Sequence, residues 1–173
     1  MNDFKDIPGN EYAKRALEVA AAGKHTIALI GEDASTLHAL WEAAPRGAWV
    51  FCCGLNDDVQ GVDMYLLLER KRQGDYPYGY KGEASVEVEK RIQAALHLGD
   101  ITLSRDCVEL LKAFKKAFNP NEKCEQVLIR VARTIANLDN KKRIGIAHLA
   151  EACQYVMYPS NAVEERKMLA DLI

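Results

Sequence analysis

Apolar residues in the first half of the chain follow either a helical spacing or short continuous runs. Over residues 10–22, apolar residues recur at i, i+3, i+4, i+7 and i+8, which predicts one helix, ended by Gly23. The uncharged runs Thr26–Ile30 and Trp49–Cys53 are typical of buried parallel strands. A second helix is predicted over 35–44, whereas the pattern of 62–68 fits a strand or a helix equally well. This half therefore predicts a small α/β unit.

The second half follows a helical pattern almost throughout. A connector rich in Gly, Tyr and Pro precedes it over 73–82. Helices are then predicted over 85–98, 104–118, 122–138 and 147–157, with Ser85 and Ser104 as N-caps. The last segment, 161–173, carries Val163, Leu169 and Leu172 at positions that predict a short amphipathic helix.

Composition narrows the class of protein without identifying it. The chain has 173 residues, is 49% hydrophobic and 28% charged, and has a net charge of -2, as ordinary globular chains do. It contains no run of about 18 apolar residues, and its acidic, polar start does not resemble a signal peptide. The five cysteines form no CxxC pair and the four histidines are scattered, so we expect reduced thiols and no metal site. These features predict a cytoplasmic protein with no membrane contact.

Charge is distributed unevenly along the chain. Residues 105–143 contain ten Lys and Arg against five Asp and Glu, a local balance of +5, which leaves -7 for the remainder. A basic stretch on an acidic body is compatible with DNA, with nucleotide phosphates or with an acidic partner. It is equally compatible with a solvated helix face.

Three long stretches resemble one known family. DFKDIPGNEYAKRALEVAAAGKHTIALIG, starting at Asp3, resembles the opening of magnesium-chelatase-like AAA+ ATPases, particularly the ComM-type competence proteins, which are bacterial. GEASVEVEKRIQAAL from Gly82 and VLIRVARTIANLDNKKRIGIAHLAEACQY from Val127 resemble the family's later helices. The resemblance also makes 62–68 a strand, because GVDMYLLLER is similar to the family strand that follows sensor 1.

The resemblance implies a nucleotide site whose loop has lost its chemistry. A P-loop reads G-x-x-x-x-G-K-[ST], because backbone N–H groups and the Lys hold phosphates while the hydroxyl holds Mg²⁺. Here Gly31 is kept, but Thr36, Leu37 and His38 occupy the positions of the second glycine, the lysine and the hydroxyl. Glu32 and Asp33 add negative charge, and the segment that would carry the Walker B acids is missing before AWVFCCGLNDD. We therefore expect no ATP hydrolysis.

The same alignment proposes the residues of a vestigial site. Asn56 would end the sensor-1 strand, and Lys123 would stand at the sensor-2 arginine, where it keeps the charge without the bidentate fork. With Gly31 and Ser35 these residues would form the vestigial nucleotide site. Arg130 and Arg133 lie on the helix with the strongest resemblance to the family, and they are candidate contacts for an anion or a partner, with a solvated or lid-packing role as the alternative.

The predicted fold is α/β: a cut-down P-loop AAA+ core of about three parallel strands, followed by an all-helical AAA+ lid. The predicted boundaries are 1–72 for the core, 73–82 for the connector, 83–158 for the lid and 159–173 for the tail helix. The first functional hypothesis is a pseudo-ATPase that acts as a binding or assembly partner, with a protein partner or further copies of itself. The alternatives are a nucleotide or anion binder that does not hydrolyse, with weak ATP or ADP binding left open, and a DNA-associated protein that uses the basic lid.

Overall fold

The computed structural model describes residues 2–68 and 82–157. The predicted tail helix and nearly all of the predicted connector lie outside these residues. A 3-10 turn at Phe4–Asp6 precedes the first helix. The helices are α1 (Glu11–Gly23), α2 (Ala34–Ala43), α3 (Ser85–Ala94), α4 (Arg105–Phe118), α5 (Glu122–Leu138) and α6 (Ile146–Val156); the strands are β1 (Thr26–Ile30), β2 (Trp49–Cys53) and β3 (Met64–Leu67).

The three strands form one parallel sheet in the order β2-β1-β3. The first strand is central and almost fully buried, as its uncharged sequence predicts. Its neighbour β2, which resembles the sensor-1 strand, lies directly beside it, and β3 confirms the strand at 62–68. The predicted α/β core with a helical lid is therefore confirmed. The prediction that 49–53 is a buried strand is wrong, because β2 is an edge strand of the described sheet and three of its five residues are exposed.

The two faces of the sheet have different surroundings. Ile27, Leu29 and Met64 belong to the main apolar cluster, together with residues from all six helices. Ala28, Ile30, Cys53 and Tyr65 form a second cluster, whose other members are strand and loop residues within the described ranges. We call this second side the open face; it also carries Trp49 and Phe51, which are 66% and 49% exposed.

The helical part packs directly onto the α/β part. Helix α5 contacts α1 and α3, and α6 contacts β3. Arg15 of α1 pairs with Glu18 at 3.2 Å and with Glu151 of α6 at 2.8 Å. Arg91 of α3 also binds Glu18, whose side chain is only 4% exposed. One buried carboxylate therefore holds cations from two helices.

The start of the chain closes onto the start of α3. The carboxylate of Asp3 accepts a hydrogen bond from the Ser85 N–H at 2.9 Å, and the Phe4 N–H donates to the Ser85 hydroxyl at 2.9 Å. The Gly82 N–H donates to the Lys5 carbonyl at 3.3 Å. Ser85 is the first residue of α3, and the prediction that it is the N-cap is wrong, because Asp3 supplies the capping oxygen from 82 residues away.

Candidate functional site

An open groove of about 570 Å³ lies at the carboxyl ends of β1 and β2, between β2 and α2. Parallel strands place their carboxyl ends at one edge, where ligands of α/β proteins bind. The groove is lined by Gly31, Glu32, Ala34, Leu37, His38, Trp41, Val50, Cys52, Cys53 and Gly54. This is where the sequence predicts the vestigial nucleotide site.

Gly31 follows β1 and is held by its neighbours on both sides. Its N–H donates to the carbonyl of Cys53 at 3.0 Å, which extends the pairing of β1 with β2. A Cβ at this position would lie 3.1–3.3 Å from the side chain of Leu68. Close packing against β3 is therefore enough to explain a glycine here.

The N-terminus of α2 is capped by the chain's own carboxylate. Asp33 accepts from the Ser35 N–H at 3.0 Å and from the Thr36 hydroxyl at 2.6 Å. The Thr36 hydroxyl, and then the backbone N–H groups, lower the pKa of Asp33 below its ordinary value of 3.8, so this group is an anion at neutral pH. A bound phosphate would use the same positive end of the helix. The sequence reasoning treated Asp33 only as a repulsive charge, although Asp before a helix is a common N-cap signal.

The resemblance puts Leu37 and His38 at the positions of the P-loop lysine and hydroxyl. Both side chains make apolar or aromatic contacts within the fold. Leu37 is 7% exposed and belongs to the main apolar cluster. Its carbonyl is 3.6 Å from the thiol of Cys52. His38 lies on the surface, with its ring stacked on Trp41 at a centroid distance of 5.9 Å. Leu37 carries no charge and His38 no hydroxyl, whereas a P-loop has a lysine and a Ser or Thr at these two positions.

Asn56 lies in the exposed turn that follows β2. Next to it, the carboxylate of Asp57 accepts a hydrogen bond from the Gly54 N–H at 2.6 Å. The turn therefore ends the strand with a local acidic cap. Asn56 itself is not among the residues that line the groove.

Lys123 is exposed in the first turn of α5. The thiol of the following residue, Cys124, contacts Met157 just after α6. Helix α5 packs on α1, α3 and α6, and Lys123 does not line the groove. Of the four residues predicted for the vestigial site, the groove lining includes Gly31 alone, and Ser35 lies beside it in the first turn of α2.

Arg133 is a buried clamp within the helical part. Its side chain donates to the carbonyls of Asp100 and Lys142 at 3.0 and 2.9 Å, to the Lys141 carbonyl, and to the amide oxygen of Asn137 at 3.0 Å. Since the residue is 5% exposed, burial lowers its pKa. All three guanidinium nitrogens donate within the helical part, to Asn137 of α5, to the loop after α5 and to Asp100 before α4, so the predicted anion or partner contact at Arg133 has no support here.

Arg130 is exposed on α5, one turn before Arg133. Its charge acts on His25, which is 5% exposed at the start of β1. Burial, which is the larger cause, and Arg130 both lower the pKa of His25, while Asp63 opposes them. Arg130 therefore lies near the amino end of β1, whereas the groove is at the carboxyl end.

Across 2–68 and 82–157, no group of three or more His, Cys, Asp or Glu side chains is placed to hold a metal ion. In the part of the chain that the structure describes, no helix has the length and apolarity needed to cross a membrane.

Two family models match the chain. One, described as magnesium chelatase, subunit ChlI, matches residues 3–42, from the 3-10 turn to α2. The other, described as magnesium chelatase, subunit ChlI C-terminal, matches residues 87–156, from α3 to α6. Between them they include the loop between β1 and α2 and nearly all of the helical part. No curated protein matches the chain.

Proposed function

Because this chain belongs to the magnesium-chelatase-like family, we propose that it is a non-catalytic member that acts as a binding or assembly partner. The observation that carries the proposal is the Asp33 carboxylate at the N-terminus of α2. The α2 end that would bind a phosphate is thereby occupied by a negative charge of the chain itself.

Electrostatics make this cap a barrier to nucleotides. A unit negative charge about 4 Å from the exposed Asp33 carboxylate is repelled by about 1 kcal/mol at the dielectric of water. The loop also lacks a lysine to offset that cost, since Leu37 packs in the apolar cluster. Losing each charge-assisted hydrogen bond removes a further 1.5–3 kcal/mol or so. These effects act in the same direction, against triphosphate binding.

A calorimetric titration with ATP, with and without Mg²⁺, tests the proposal together with a phosphate-release assay. We expect no hydrolysis and no heat at millimolar nucleotide. Hydrolysis by the pure protein that is abolished by a change at Gly31 would contradict the proposal.

A neutral N-cap at residue 33 tests the effect of the negative charge separately from the effect of the capping hydrogen bonds. Asn is also a good N-cap, so Asp33→Asn keeps the hydrogen bonds and removes the negative charge. We expect this variant to give binding heat at millimolar ATP, where the wild type gives none. The matched control is Asp100→Asn, because Asp100 caps Thr102 through its N–H and hydroxyl at 2.8 and 2.6 Å, away from the groove. Equal affinities in all three proteins would mean that the Asp33 charge does not exclude nucleotide.

A nucleotide or anion binder without hydrolysis is the second candidate. The open groove beside Gly31 favours it, because about 570 Å³ lies within the usual size of small-molecule sites. Lys123 would then have to reach the bound anion from outside the residues that line the groove. Binding of ATP or ADP tighter than about 100 µM, near -5.5 kcal/mol, would support this candidate over the first.

DNA association is favoured by one exposed basic run. Lys141, Lys142 and Arg143 are consecutive and exposed in the loop before α6. Their replacement by Gln would spare the two carbonyls that hold Arg133. A DNA mobility shift that weakens with salt and is lost in this triple variant would support the candidate. An absent or salt-insensitive shift would remove it.

A further inference from the structure

The backbone N–H and C=O groups of β2 alternate between facing β1 and facing the outer edge of the sheet. The Trp49 N–H donates to the His25 carbonyl, and the Cys53 carbonyl accepts from Gly31, so residues 49, 51 and 53 face β1. Because backbone groups alternate in direction along a strand, those of Val50 and Cys52 point away from β1. Among the described residues, β2 has a neighbouring strand only on its β1 side.

Both ends of this edge are closed by local hydrogen bonds. The Ala48 N–H donates to the Pro45 carbonyl at 3.3 Å, before the strand. The Gly54 N–H donates to the Asp57 carboxylate at 2.6 Å, after it. The pairing edge is therefore restricted to the backbone groups of Val50 and Cys52.

Within the described residues, the short β2 edge has no Lys, proline, inward charge or bulge to oppose strand pairing. Natural edge strands are blunted by Lys, Pro, inward charges or bulges. The sequence WVFCC of β2 has no charge and no proline, and all five residues pair with β1 in regular register. Its aromatic side chains Trp49 and Phe51 are also exposed on the open face. An edge with these properties is suited to receive another strand.

We propose that this edge pairs, antiparallel and about a two-fold axis, with β2 of a second copy of the chain. The inference deepens the proposed role in assembly and rests on it. With Phe51 on the axis, Val50 lies opposite the partner's Cys52 and Cys52 opposite the partner's Val50, so every outward backbone group finds a partner. Phe51 then meets the partner's Phe51 in a non-hydrogen-bonded pair, where side chains approach most closely. The product is a continuous six-stranded sheet.

Charge complementarity favours a second copy over other occupants. Arg46 precedes β2, while Asp57 and Asp58 follow it. Antiparallel pairing brings the amino end of one strand to the carboxyl end of the other, so opposite charges meet at both ends. An identical strand also brings no charge of its own to the uncharged centre. The segment 158–173, by contrast, contains Pro159 and five charged residues.

The test is the mass of the full-length protein in solution, measured by light scattering across a concentration series with reducing agent present. We expect twice 19.3 kDa, with a dissociation constant of about 100 µM or tighter. The reducing agent excludes a disulfide through the exposed Cys52. A monomer at every concentration would overturn the proposal.

Phe51→Lys locates the contact, because it places two like charges opposite each other on the axis. We expect the dissociation constant to rise at least tenfold. Ile101→Lys is the matched control, since Ile101 is 56% exposed on the helical part, and it should leave the dimer unchanged. Thermal melts verify that both variants are folded. A dimer that withstands Phe51→Lys would mean that another surface is used.

A charge reversal distinguishes a second copy from a different occupant. Arg46→Glu should weaken the dimer, and adding Asp58→Arg to it should restore the affinity. Hydrogen exchange at the Val50 and Cys52 amides gives an independent readout. Slow exchange in a monomeric protein would show that another segment of the same chain covers the edge, which overturns the proposal. ATP hydrolysis by a protein that is dimeric through β2 would refute the proposed function and leave this inference standing.

Discussion

At the scale of single residues, Gly23 shows how closely the last residue of α1 approaches His25 and α5. A Cβ on Gly23 would lie 2.1 Å from Nε2 of His25 and 2.4 Å from the Thr134 hydroxyl. Alanine normally stabilises a helix by about 1 kcal/mol relative to glycine. Here the clash reverses that sign, because His25 would have to leave its hydrogen bond with Thr134.

We therefore expect Gly23→Ala to destabilise the protein by about 1–3 kcal/mol, the usual cost of overpacking. The measurement is the free energy of unfolding in urea. Gly99→Ala is the matched control, because no atom lies within 4 Å of the Cβ it would add. A gain in stability for Gly23→Ala would contradict the packing described above.

His25 gives the fold a dependence on pH. Nε2 of His25 is hydrogen-bonded to the Thr134 hydroxyl at 2.9 Å, and this hydroxyl also lies 3.1 Å from the Arg130 carbonyl. The other ring nitrogen is 3.7 Å from the Asp63 carboxylate. Burial and, to a lesser extent, Arg130 outweigh Asp63, and the pKa of His25 in the fold is below its ordinary value of 6.5.

A lowered histidine pKa means that the unfolded chain takes up the proton first as pH falls. The stability supplied by neutral His25 is complete above pH 6.5 and declines below it. We expect the difference in unfolding free energy between the wild type and His25→Gln to shrink from pH 7.5 to pH 5. Parallel pH profiles for the two proteins would show that His25 is not the group responsible.

At the scale of secondary-structure elements, local sequence predicts the strands better than the helix ends. The bounds of β1, β2 and α5 agree with the prediction, because uncharged runs and a long apolar stripe specify them locally. Helix α3 ends at Ala94 rather than near residue 98, and the Leu96 N–H donates to the Asn137 carbonyl of α5. Such distant partners leave no trace in the local pattern.

The position of the candidate site could be predicted from the sequence, but the contacts of its predicted side chains could not. The position of the groove follows from Gly31 between β1 and α2, and the Asp33 cap could have been read from the sequence. The roles of Arg133 and Lys123 could not, because they depend on how α5 packs against α1, α3 and α6. The resemblance to the family places Arg133 and Lys123 on α5, but the packing of the helices determines which groups their side chains contact.

The cap of α3 leads to a prediction for this element. Asp3→Ala removes the acceptor of the Ser85 N–H, a change that costs about 0.5–2 kcal/mol at an N-cap. We expect that loss in the unfolding free energy, together with faster amide exchange in the first turn of α3. Asp106→Ala serves as the control, because Asp106 lies exposed in the first turn of α4, where Ser104 is the cap. Equal effects of the two changes would argue against the long-range cap.

At the scale of the whole molecule, Glu18 joins the α/β part to the helical part. Its buried carboxylate binds Arg15 and Arg91, and Arg15 continues to Glu151 of α6. Removing one partner of a buried ion pair typically costs 3–5 kcal/mol or so.

Glu18→Ala should lower the unfolding free energy by about 1–3 kcal/mol, less than for a fully buried pair, because Arg15 keeps Glu151 and Arg91 keeps Glu83. One cooperative transition should become two if the parts separate. The measurement is urea unfolding followed by fluorescence and by far-ultraviolet circular dichroism. Glu109→Ala provides the comparison, because its pair with Lys112 is exposed and worth about 1 kcal/mol at most. Coincident transitions with only a small loss would show that the apolar cluster alone joins the two parts.

The closure of the chain start onto α3 has a mechanical consequence. A motor converts a chemical step into work only if one of its bodies can travel through a stroke relative to the other. In this molecule the first residues form hydrogen bonds with Gly82 and Ser85 at the beginning of the helical part. Further along, ion pairs of Glu18 and Glu151 join the same two parts. Any swing of the helices would have to break these bonds together. These contacts are compatible with the proposed assembly role, because a spacer or template needs a constant shape and no power stroke.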